Sequence, residues 1–140
     1  MPTNPRDARP LAGVTVVDIT QVIAGPFATM NLGDLGADVV KIEAVDRGDR
    51  SRSIDPIPEY FDTLNRNKRS IEVDLKSEGG QEIVTELVRE ADVFIESAKP
   101  GRMETFELSY DRLSEENPER KNSARALPTC SKSWATTKAR

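Results

Sequence analysis

The chain has 140 residues, of which 36% are hydrophobic and 31% charged, and its formal net charge at pH 7 is -4. That length suffices for one domain with a hydrophobic core, and no apolar run approaches the ~20 residues that a membrane-spanning helix requires. The absence of histidine and the presence of one cysteine, Cys130, exclude a Ser-His-Asp triad, a Cys-His pair, an internal disulfide and a cysteine metal cluster. We therefore predict a soluble, cytoplasmic protein without a metal site and without a membrane partner.

Charge is distributed unevenly along the chain. Of the 20 basic residues, five lie in residues 121–140, a segment without Asp or Glu, so residues 1–120 combine the other 15 with all 24 acidic side chains. Affinity for nucleic acids depends on Lys and Arg side chains that neutralise phosphates. The acidic body therefore argues against a nucleic-acid partner.

The N-terminal third predicts a strand, a helix and a second strand. Residues 1–10 are polar and proline-rich, so we expect a flexible lead-in. Residues 14–19 are β-branched and apolar, as in a buried strand of a parallel sheet. Pro26 suits the first turn of a helix over residues 27–35, and Gly36 would end that helix in a left-handed turn. The apolar side of the helix would comprise Phe27, Ala28, Met30, Leu32 and Leu35.

A second strand over Asp38–Glu43 would complete a βαβ unit. Residues 44–60 show no periodicity and predict a long loop, and residues 61–64 predict a short helical turn. The polar stretch 65–69 leads into residues 70–75, whose alternation of polar and apolar side chains predicts a third strand.

The next segment predicts a helix from the N-cap Ser77 to about Ala91. We expect Thr85 to face water and an apolar stripe to be buried; that stripe comprises Ile83, Val84, Leu87, Val88 and Ala91. Val93–Ile95 predicts a fourth strand, and two short helices should follow over residues 103–108 and 110–116. Four strands that alternate with helices predict an α/β fold with an open parallel sheet and flanking helices.

Residues 121–140 differ from the rest of the chain. They contain one Leu and no Ile, Val, Phe, Met or Tyr, and neither the helical nor the strand period appears. Two interpretations remain open: a flexible basic tail, or out-of-frame translation after a truncated domain. We favour the second interpretation and expect disorder in either case.

Nine ordered blocks of sequence carry a further signal. They are residues 10–20 (PLAGVTVVDIT), 24–30 (AGPFATM), 35–43 (LGADVVKIE), 48–49 (GD) with Arg50 or Arg52, 64–70 (LNRNKRS), 74–77 (DLKS), 91–96 (ADVFIE), 100–101 (PG) and 117–118 (NP). In order and spacing these blocks resemble the start of the family III coenzyme A (CoA) transferases, a family that includes formyl-CoA transferase, carnitine CoA transferases and the related α-methylacyl-CoA racemase. The resemblance covers about residues 10–119.

The resemblance implies a Rossmann-like domain over residues 11–120 that binds much of the CoA. It also implies CoA transfer between carboxylic acids through acyl-aspartyl anhydride and thioester intermediates, in an interlocked homodimer whose partners are acyl-CoA and carboxylic acids. The racemase branch instead moves an α-proton with an acid–base pair. In both branches the catalytic residues follow the Asn-Pro block. We therefore expect no catalytic residue in this chain and no activity by the chain alone.

The candidate CoA-binding residues fall in three places. The turn after the first strand, where open α/β sheets place ligands, contributes Val22, Ile23, Ala24 and Gly25. The polar stretch before the third strand contributes Arg66, Lys68 and Arg69 as candidates for phosphate contacts, although such clusters are more often solvated loops. Lys76 matches a CoA-contacting position of the family most directly, and Val73 precedes it.

Two places in the sequence depart from the family pattern. Glu96-Ser97-Ala98 stands where the family commonly has Glu-Asn-Phe, and Ala44 replaces an Arg or Pro. We expect both departures to weaken CoA binding. A G-x-G-x-x-G fingerprint is absent, so NAD binding has little support. Asp18, Asp34, Asp38 and Glu43 are interpreted as structural carboxylates, and Cys130 as inert.

Three hypotheses about function follow. The chain is a CoA-transferase fragment that is inactive alone, a free-standing nucleotide- or CoA-binding module without catalysis, or a truncated product with no function. Acyl selectivity and the choice between the transferase and racemase branches stay open.

Overall fold

The computed structural model describes residues 9–53 and 59–117, and these residues form a parallel sheet with helices on both faces. The predicted tail 121–140 and most of the predicted lead-in lie outside the described residues. The sheet has four strands in the order β3-β2-β1-β4, all parallel. The strands are β1 (Thr15–Asp18), β2 (Asp38–Glu43), β3 (Lys68–Glu72) and β4 (Val93–Ile95).

In the described residues, four α-helices and two short 3₁₀ helices lie between the strands or follow the last one. The 3₁₀ helices are Arg50–Ser53 and Glu104–Phe106; the α-helices are α1 (Ala24–Asp34), α2 (Tyr60–Asn65), α3 (Glu78–Glu90) and α4 (Tyr110–Glu116). Ser77 caps α3 as predicted, because its hydroxyl oxygen accepts a hydrogen bond from the Gly80 N–H at 3.0 Å. Gly36 follows α1 with a φ of 106°, which confirms the predicted left-handed turn.

Side chains on the central strands alternate between two apolar clusters. Val16 and Val39 are fully buried on one face, where Leu32 of α1 packs against them. Val17 and Ile42 lie on the other face, in a larger cluster with residues of α3 and α4. The two faces are thus covered by different helices, as in doubly wound folds.

The order of the strands creates a switch point between β1 and β4. The chain moves from β1 to β2 and β3 in one direction and then returns past β1 to form β4. The connections after β1 and β4 thus leave the carboxyl edge side by side, at the point where the order of the strands reverses. In open α/β sheets ligands bind in the crevice at such a point.

The structure corrects the predicted start of the third strand. β3 begins at Lys68 rather than at residue 70. Lys68 pairs with Val39 of the neighbouring strand β2. Backbone pairing at a sheet edge tolerates charged side chains, because one side of an edge strand stays in water. Lys68 and Arg69, two of the five residues of the polar stretch 65–69, therefore belong to the strand, which ends at Glu72 rather than at residue 75. The predicted loop over residues 44–60 likewise contains the 3₁₀ helix Arg50–Ser53.

Two predicted helix faces were also partly wrong. In α1 the buried residues are Pro26, Thr29, Met30 and Gly33, whereas Phe27, Ala28 and Leu35 are exposed. In α3 Thr85 is buried and Ile83 is exposed. Both buried threonines have hydroxyl partners within reach: Thr29 Oγ1 lies 2.6 Å from Asp18 Oδ2, and Thr85 Oγ1 lies 2.8 Å from the Gln81 carbonyl oxygen. A satisfied hydroxyl costs little to bury, so polarity alone misassigned these faces.

Candidate functional site

The turn that joins β1 to α1, residues 19–23, lies at the carboxyl edge of the sheet. Ile23 is the N-cap of α1, and no side chain accepts a hydrogen bond at this helix start. Gly25 packs so closely on Thr20 that a Cβ at position 25 would lie 2.2 Å from the Thr20 Cβ. The turn presents backbone N–H groups at the positive end of a helix dipole. This arrangement suits an anion or the carbonyl oxygen of a thioester.

A buried carboxylate holds the base of this turn. Asp18 is fully buried at the end of β1, and its Oδ1 accepts hydrogen bonds from the Thr20 N–H at 2.9 Å and the Thr20 hydroxyl at 2.5 Å. Its Oδ2 accepts from the Thr29 hydroxyl of α1 at 2.6 Å. The carboxylate thus ties the strand end, the turn and the helix together, and its bonding is consistent with the predicted structural role.

A buried ion pair between Lys41 and Asp49 contacts the middle of the turn. Lys41 Nζ lies 2.8 Å from Asp49 Oδ2, and both side chains are essentially inaccessible to water. Asp49 Oδ1 accepts from the Val22 N–H at 3.1 Å and from the Ser51 N–H at 2.8 Å. Burial alone would raise the pKa of Asp49, but hydrogen bonds from Lys41 and Ser51 outweigh burial and hold that pKa below its ordinary value. Asp49 is therefore a carboxylate that the fold keeps charged.

The Glu43 carboxylate, at the end of β2, binds several groups of the loop that follows this strand. Glu43 accepts two hydrogen bonds from the Arg52 guanidinium, at 2.7 and 2.8 Å, one from the Ser70 hydroxyl at 2.6 Å and one from the Asp49 N–H at 2.8 Å. The Arg52 guanidinium also lies 3.5 Å from the centroid of the Phe61 ring. Burial opposes ionisation of Glu43, yet these donors lower its pKa to about 2. These contacts are consistent with the predicted structural role of Glu43.

Among the predicted phosphate contacts, Lys68 occupies an unexpected place. Its ammonium lies 3.1 Å from Asp18 Oδ2 and donates to the Pro26 carbonyl at 2.9 Å and the Asn65 side-chain oxygen at 2.8 Å. Burial lowers the pKa of Lys68 below its ordinary value, against the opposing effect of Asp18. Three acceptors occupy the three N–H donors, so the geometry speaks against a phosphate contact by Lys68.

Arg66 and Arg69 lie away from the turn. The Arg66 guanidinium pairs with Asp34, the last residue of α1, at 2.5 Å, and the Arg69 guanidinium pairs with Asp38, the first residue of β2, at 2.6 Å. Helix α1 runs back across the sheet, so its end and the start of β2 lie at the amino edge. The structure does not bring these two arginines to the carboxyl edge, where the β1–α1 turn lies.

Lys76 and Val73 do lie at the carboxyl edge, in the connection between β3 and α3. Lys76 is exposed, and no ion pair of its ammonium is found among the residues that the structure describes. Its N–H donates to Asp74 Oδ1 at 3.0 Å, which fixes the backbone. Val73 is buried in the core and its N–H donates to the Glu43 carbonyl at 2.9 Å. Lys76 therefore has a cation to offer a ligand, whereas the Val73 side chain does not reach solvent.

The connection after β4 touches the β1–α1 turn. The Ser97 hydroxyl accepts a hydrogen bond from the Gln21 N–H at 3.2 Å. The Ala98 N–H donates to Glu96 Oε2 at 2.5 Å, and the Ala98 side chain packs against the larger apolar cluster. The residues that depart from the family pattern thus border the switch-point crevice. Ser97, which contacts Gln21, stands where the family commonly has Asn.

Sequence reasoning missed the roles of Lys41 and Asp49. The sequence patterns placed Asp49 only in a Gly-Asp block and Lys41 only in a predicted strand. A signal was present, because Lys41 stands between the apolar residues Val40 and Ile42 in a predicted buried strand, and the structure buries the last five residues of β2. A lysine in a strand that is covered on both faces requires an anionic partner.

Comparison with known proteins agrees with the resemblance that the sequence blocks indicate. The family model for CoA-transferase family III matches residues 11–119. The chain is 44% identical over 115 residues to the human succinyl-CoA:glutarate CoA-transferase and 47% identical over 116 residues to the formyl-CoA:oxalate CoA-transferase of Streptomyces coelicolor. Each alignment covers 79% of this chain but only 26% and 28%, respectively, of the relative.

Two crystal structures resemble the fold closely. A CAIB/BAIF family protein from Brucella suis superposes with a TM-score of 0.75 at 41% identity, over 78% of this chain and 31% of that chain. A hypothetical protein from Mycobacterium tuberculosis superposes with a TM-score of 0.74 at 43% identity, over 79% of this chain and 31% of the other. The chain therefore spans less than a third of the length of these relatives.

Two further features of the described part of the chain bear on function. Within residues 9–53 and 59–117, no helix combines the length and the apolar character that crossing a membrane would need. In the same ranges no three Asp, Glu, Cys or His side chains are grouped so that they could hold a metal ion.

Proposed function

Because this chain belongs to CoA-transferase family III, we propose that it binds CoA or acyl-CoA at the carboxyl edge of its sheet. The observation that carries the proposal is the β1–α1 turn at the switch point. Its backbone N–H groups at the start of α1 have no side-chain cap, and Ile23 and Ala24 are exposed. These groups can receive the carbonyl oxygen of a thioester or a phosphate oxygen.

Lys76 supplies the phosphate contact of this proposal. The turn after β1 and the connection after β3 leave the same edge of the sheet, with β2 between them. Neighbouring strands are about 4.8 Å apart, so the two segments start about 10 Å from one another. That separation lets one extended ligand touch both. The thiol end of CoA would lie by Val22–Gly25, and its phosphate-bearing nucleotide would lie toward Lys76.

The proposed role in the whole protein is transfer of CoA between carboxylic acids. The relatives named above act on succinyl-CoA and glutarate or on formyl-CoA and oxalate, and the acids that this chain would serve stay open. We propose that the covalent chemistry requires a carboxylate nucleophile outside these 140 residues and an interlocked homodimer. Cytoplasmic localisation belongs to the same proposal.

An NMR titration tests the binding role. The ¹⁵N-labelled 140-residue chain is titrated with CoA, and we expect the largest shift changes at the amides of residues 22–25 and near Lys76. The Lys76→Gln variant should weaken CoA binding about tenfold, because one charge-assisted contact is lost. Binding of pantetheine, which lacks the phosphates, should not depend on Lys76.

Two variants serve as controls for the titration. Arg112→Gln removes an exposed cation that pairs with Glu107 away from the turn, and it should leave the CoA affinity unchanged. Arg66→Gln tests the competing phosphate candidate. No binding at millimolar CoA, or shift changes confined to the amino edge, would contradict the proposal.

A further inference from the structure

Val22 holds an uncommon backbone conformation at the centre of the β1–α1 turn. Its φ is 71°, in the left-handed region, although Val is β-branched and carries no side-chain oxygen that could stabilise this conformation locally. For such a residue the left-handed region is a sterically unfavourable outlier. The surrounding structure must therefore hold Val22 in place.

The Asp49 carboxylate is the side chain that contacts the Val22 backbone. Asp49 Oδ1 accepts a hydrogen bond from the Val22 N–H at 3.1 Å, across 27 positions of sequence. The neighbouring N–H of Gln21 donates to the Ser97 hydroxyl at 3.2 Å. Two successive amides of the turn thus have side-chain acceptors from other parts of the chain, an exposed one for Gln21 and a buried one for Val22. No side chain caps the amides that follow, at the start of α1.

Asp49 is itself rigidly held. Its Oδ2 lies 2.8 Å from Lys41 Nζ, and its Oδ1 accepts from both the N–H and the hydroxyl of Ser51 at 2.8 Å. Lys41 Nζ also donates to the Thr20 carbonyl at 2.9 Å. The buried pair therefore contacts the turn at both Thr20 and Val22. A side chain with these partners cannot turn away to relieve the strain at Val22.

We propose that Asp49 is a positioning residue for the β1–α1 turn: through the Val22 N–H it holds Val22 in its left-handed conformation and so directs the amides of residues 23–25 toward a bound CoA thioester. The second half of this statement rests on the proposed function. The first half concerns the free protein. The charge of Asp49 thereby acts on the ligand through the backbone and not by contact.

Amide hydrogen exchange in the unliganded chain tests the first half. In Asp49→Asn the side-chain oxygen is drawn to the buried Lys41 ammonium, and the NH₂ group then faces the Val22 N–H. We expect exchange at Val22 to become at least tenfold faster. The Ile19 amide, which donates to the Ile95 carbonyl at 2.9 Å, should keep its rate. Asp38→Asn, a matched change at an exposed carboxylate, should alter neither rate.

A double-mutant cycle tests the second half. Glycine enters the left-handed region without a steric penalty, so Val22→Gly removes the strain that Asp49 is proposed to oppose. We expect Asp49→Asn to weaken CoA binding about tenfold in the wild-type background and threefold or less in the Val22→Gly background. An Asp49 that served only general stability would give equal losses in both backgrounds.

The outcomes separate the two proposals. Unchanged exchange at Val22 in a folded Asp49→Asn chain, or equal losses of CoA affinity in the two backgrounds, overturns the positioning role. If the wild-type chain does not bind CoA, the proposed function fails, and the exchange rate at Val22 alone decides whether Asp49 holds the turn.

A second variant covers the case in which Asp49→Asn does not fold. Lys41→Met combined with Asp49→Ala removes both buried charges together, so no unpaired charge is left in the interior. The same faster exchange at Val22 is expected in this variant. A protected Val22 amide there overturns the proposal equally.

Discussion

Lys68 Nζ lies 3.1 Å from Asp18 Oδ2, and both side chains are almost completely buried. The lysine belongs to the edge strand β3 and the aspartate to the end of the central strand β1, with β2 between them. The contact therefore spans three strands on the face covered by α1. A residue that resembles a surface cation in the sequence instead neutralises a carboxylate beneath the proposed ligand site.

Replacing Lys68 by Met should destabilise the chain by about 3–5 kcal/mol, because Asp18 would stay buried without a cationic partner. Urea denaturation followed by circular dichroism measures the change. The double variant Lys68→Met/Asp18→Asn should recover part of the loss. Arg69→Gln, which breaks an exposed pair, should change the free energy of unfolding by no more than about 0.5 kcal/mol. Equal effects of Lys68→Met and Arg69→Gln would contradict the buried pairing.

Gly25→Ala should destabilise the chain by about 1–3 kcal/mol. The added Cβ would lie 2.2 Å from the Thr20 Cβ, an atom that no side-chain rotation can move. Gly79→Ala in α3 is the matched control, since a Cβ there would meet no atom within 4 Å. That change should be stabilising by about 0.5–1 kcal/mol, because alanine favours a helix. Thermal unfolding of the two variants beside the wild type provides the comparison.

Acid should destabilise the chain partly through Glu43. Its pKa falls from an ordinary 4.5 to about 2 in the folded protein, so the unfolded chain takes up the proton first as the pH falls. The stabilisation is complete above about pH 4.5 and is lost as the pH falls toward 2. Glu43→Gln should remove this part of the pH dependence. We expect the difference in unfolding free energy between wild type and variant to shrink between pH 5 and pH 2, as measured by urea denaturation at each pH.

A difference that stays constant over that range would contradict the assignment to Glu43. Asp38→Asn serves as the control, because the Asp38 carboxylate is exposed and its ion-pair partner among the described residues is Arg69. Other carboxylates titrate in the same range, and the comparison of matched variants cancels their contribution.

The 140-residue chain should not exchange CoA between carboxylic acids by itself. The two carboxylates that contact the β1–α1 turn, Asp18 and Asp49, are buried and accept several hydrogen bonds each, so neither can attack a thioester. Incubation with formyl-CoA or succinyl-CoA and acceptor acids, followed by chromatography of the thioesters, tests this. Turnover that survives purification and disappears in Asp18→Asn or Asp49→Asn would contradict it.

Local sequence determined most of the secondary structure. The bounds of β2 and β4, the Ser77 cap and the left-handed Gly36 follow from neighbouring residues, because strand propensity, N-capping and the conformational freedom of glycine act over a few positions. The ordered blocks also identified the family. From the same information the β1–α1 turn and Lys76 were assigned to CoA binding, and that assignment stays a prediction.

The tertiary structure decided which charged side chains face a ligand and which are buried. Lys68, Arg66 and Arg69 are near neighbours in sequence, yet the register of β3 against β2 places one in the interior and directs the others to the amino edge. The strain at Val22 depends on Asp49, 27 positions away. Such outcomes depend on which strands pair and on which partners they bring within hydrogen-bond distance, and long-range pairing leaves no periodic trace in the local sequence.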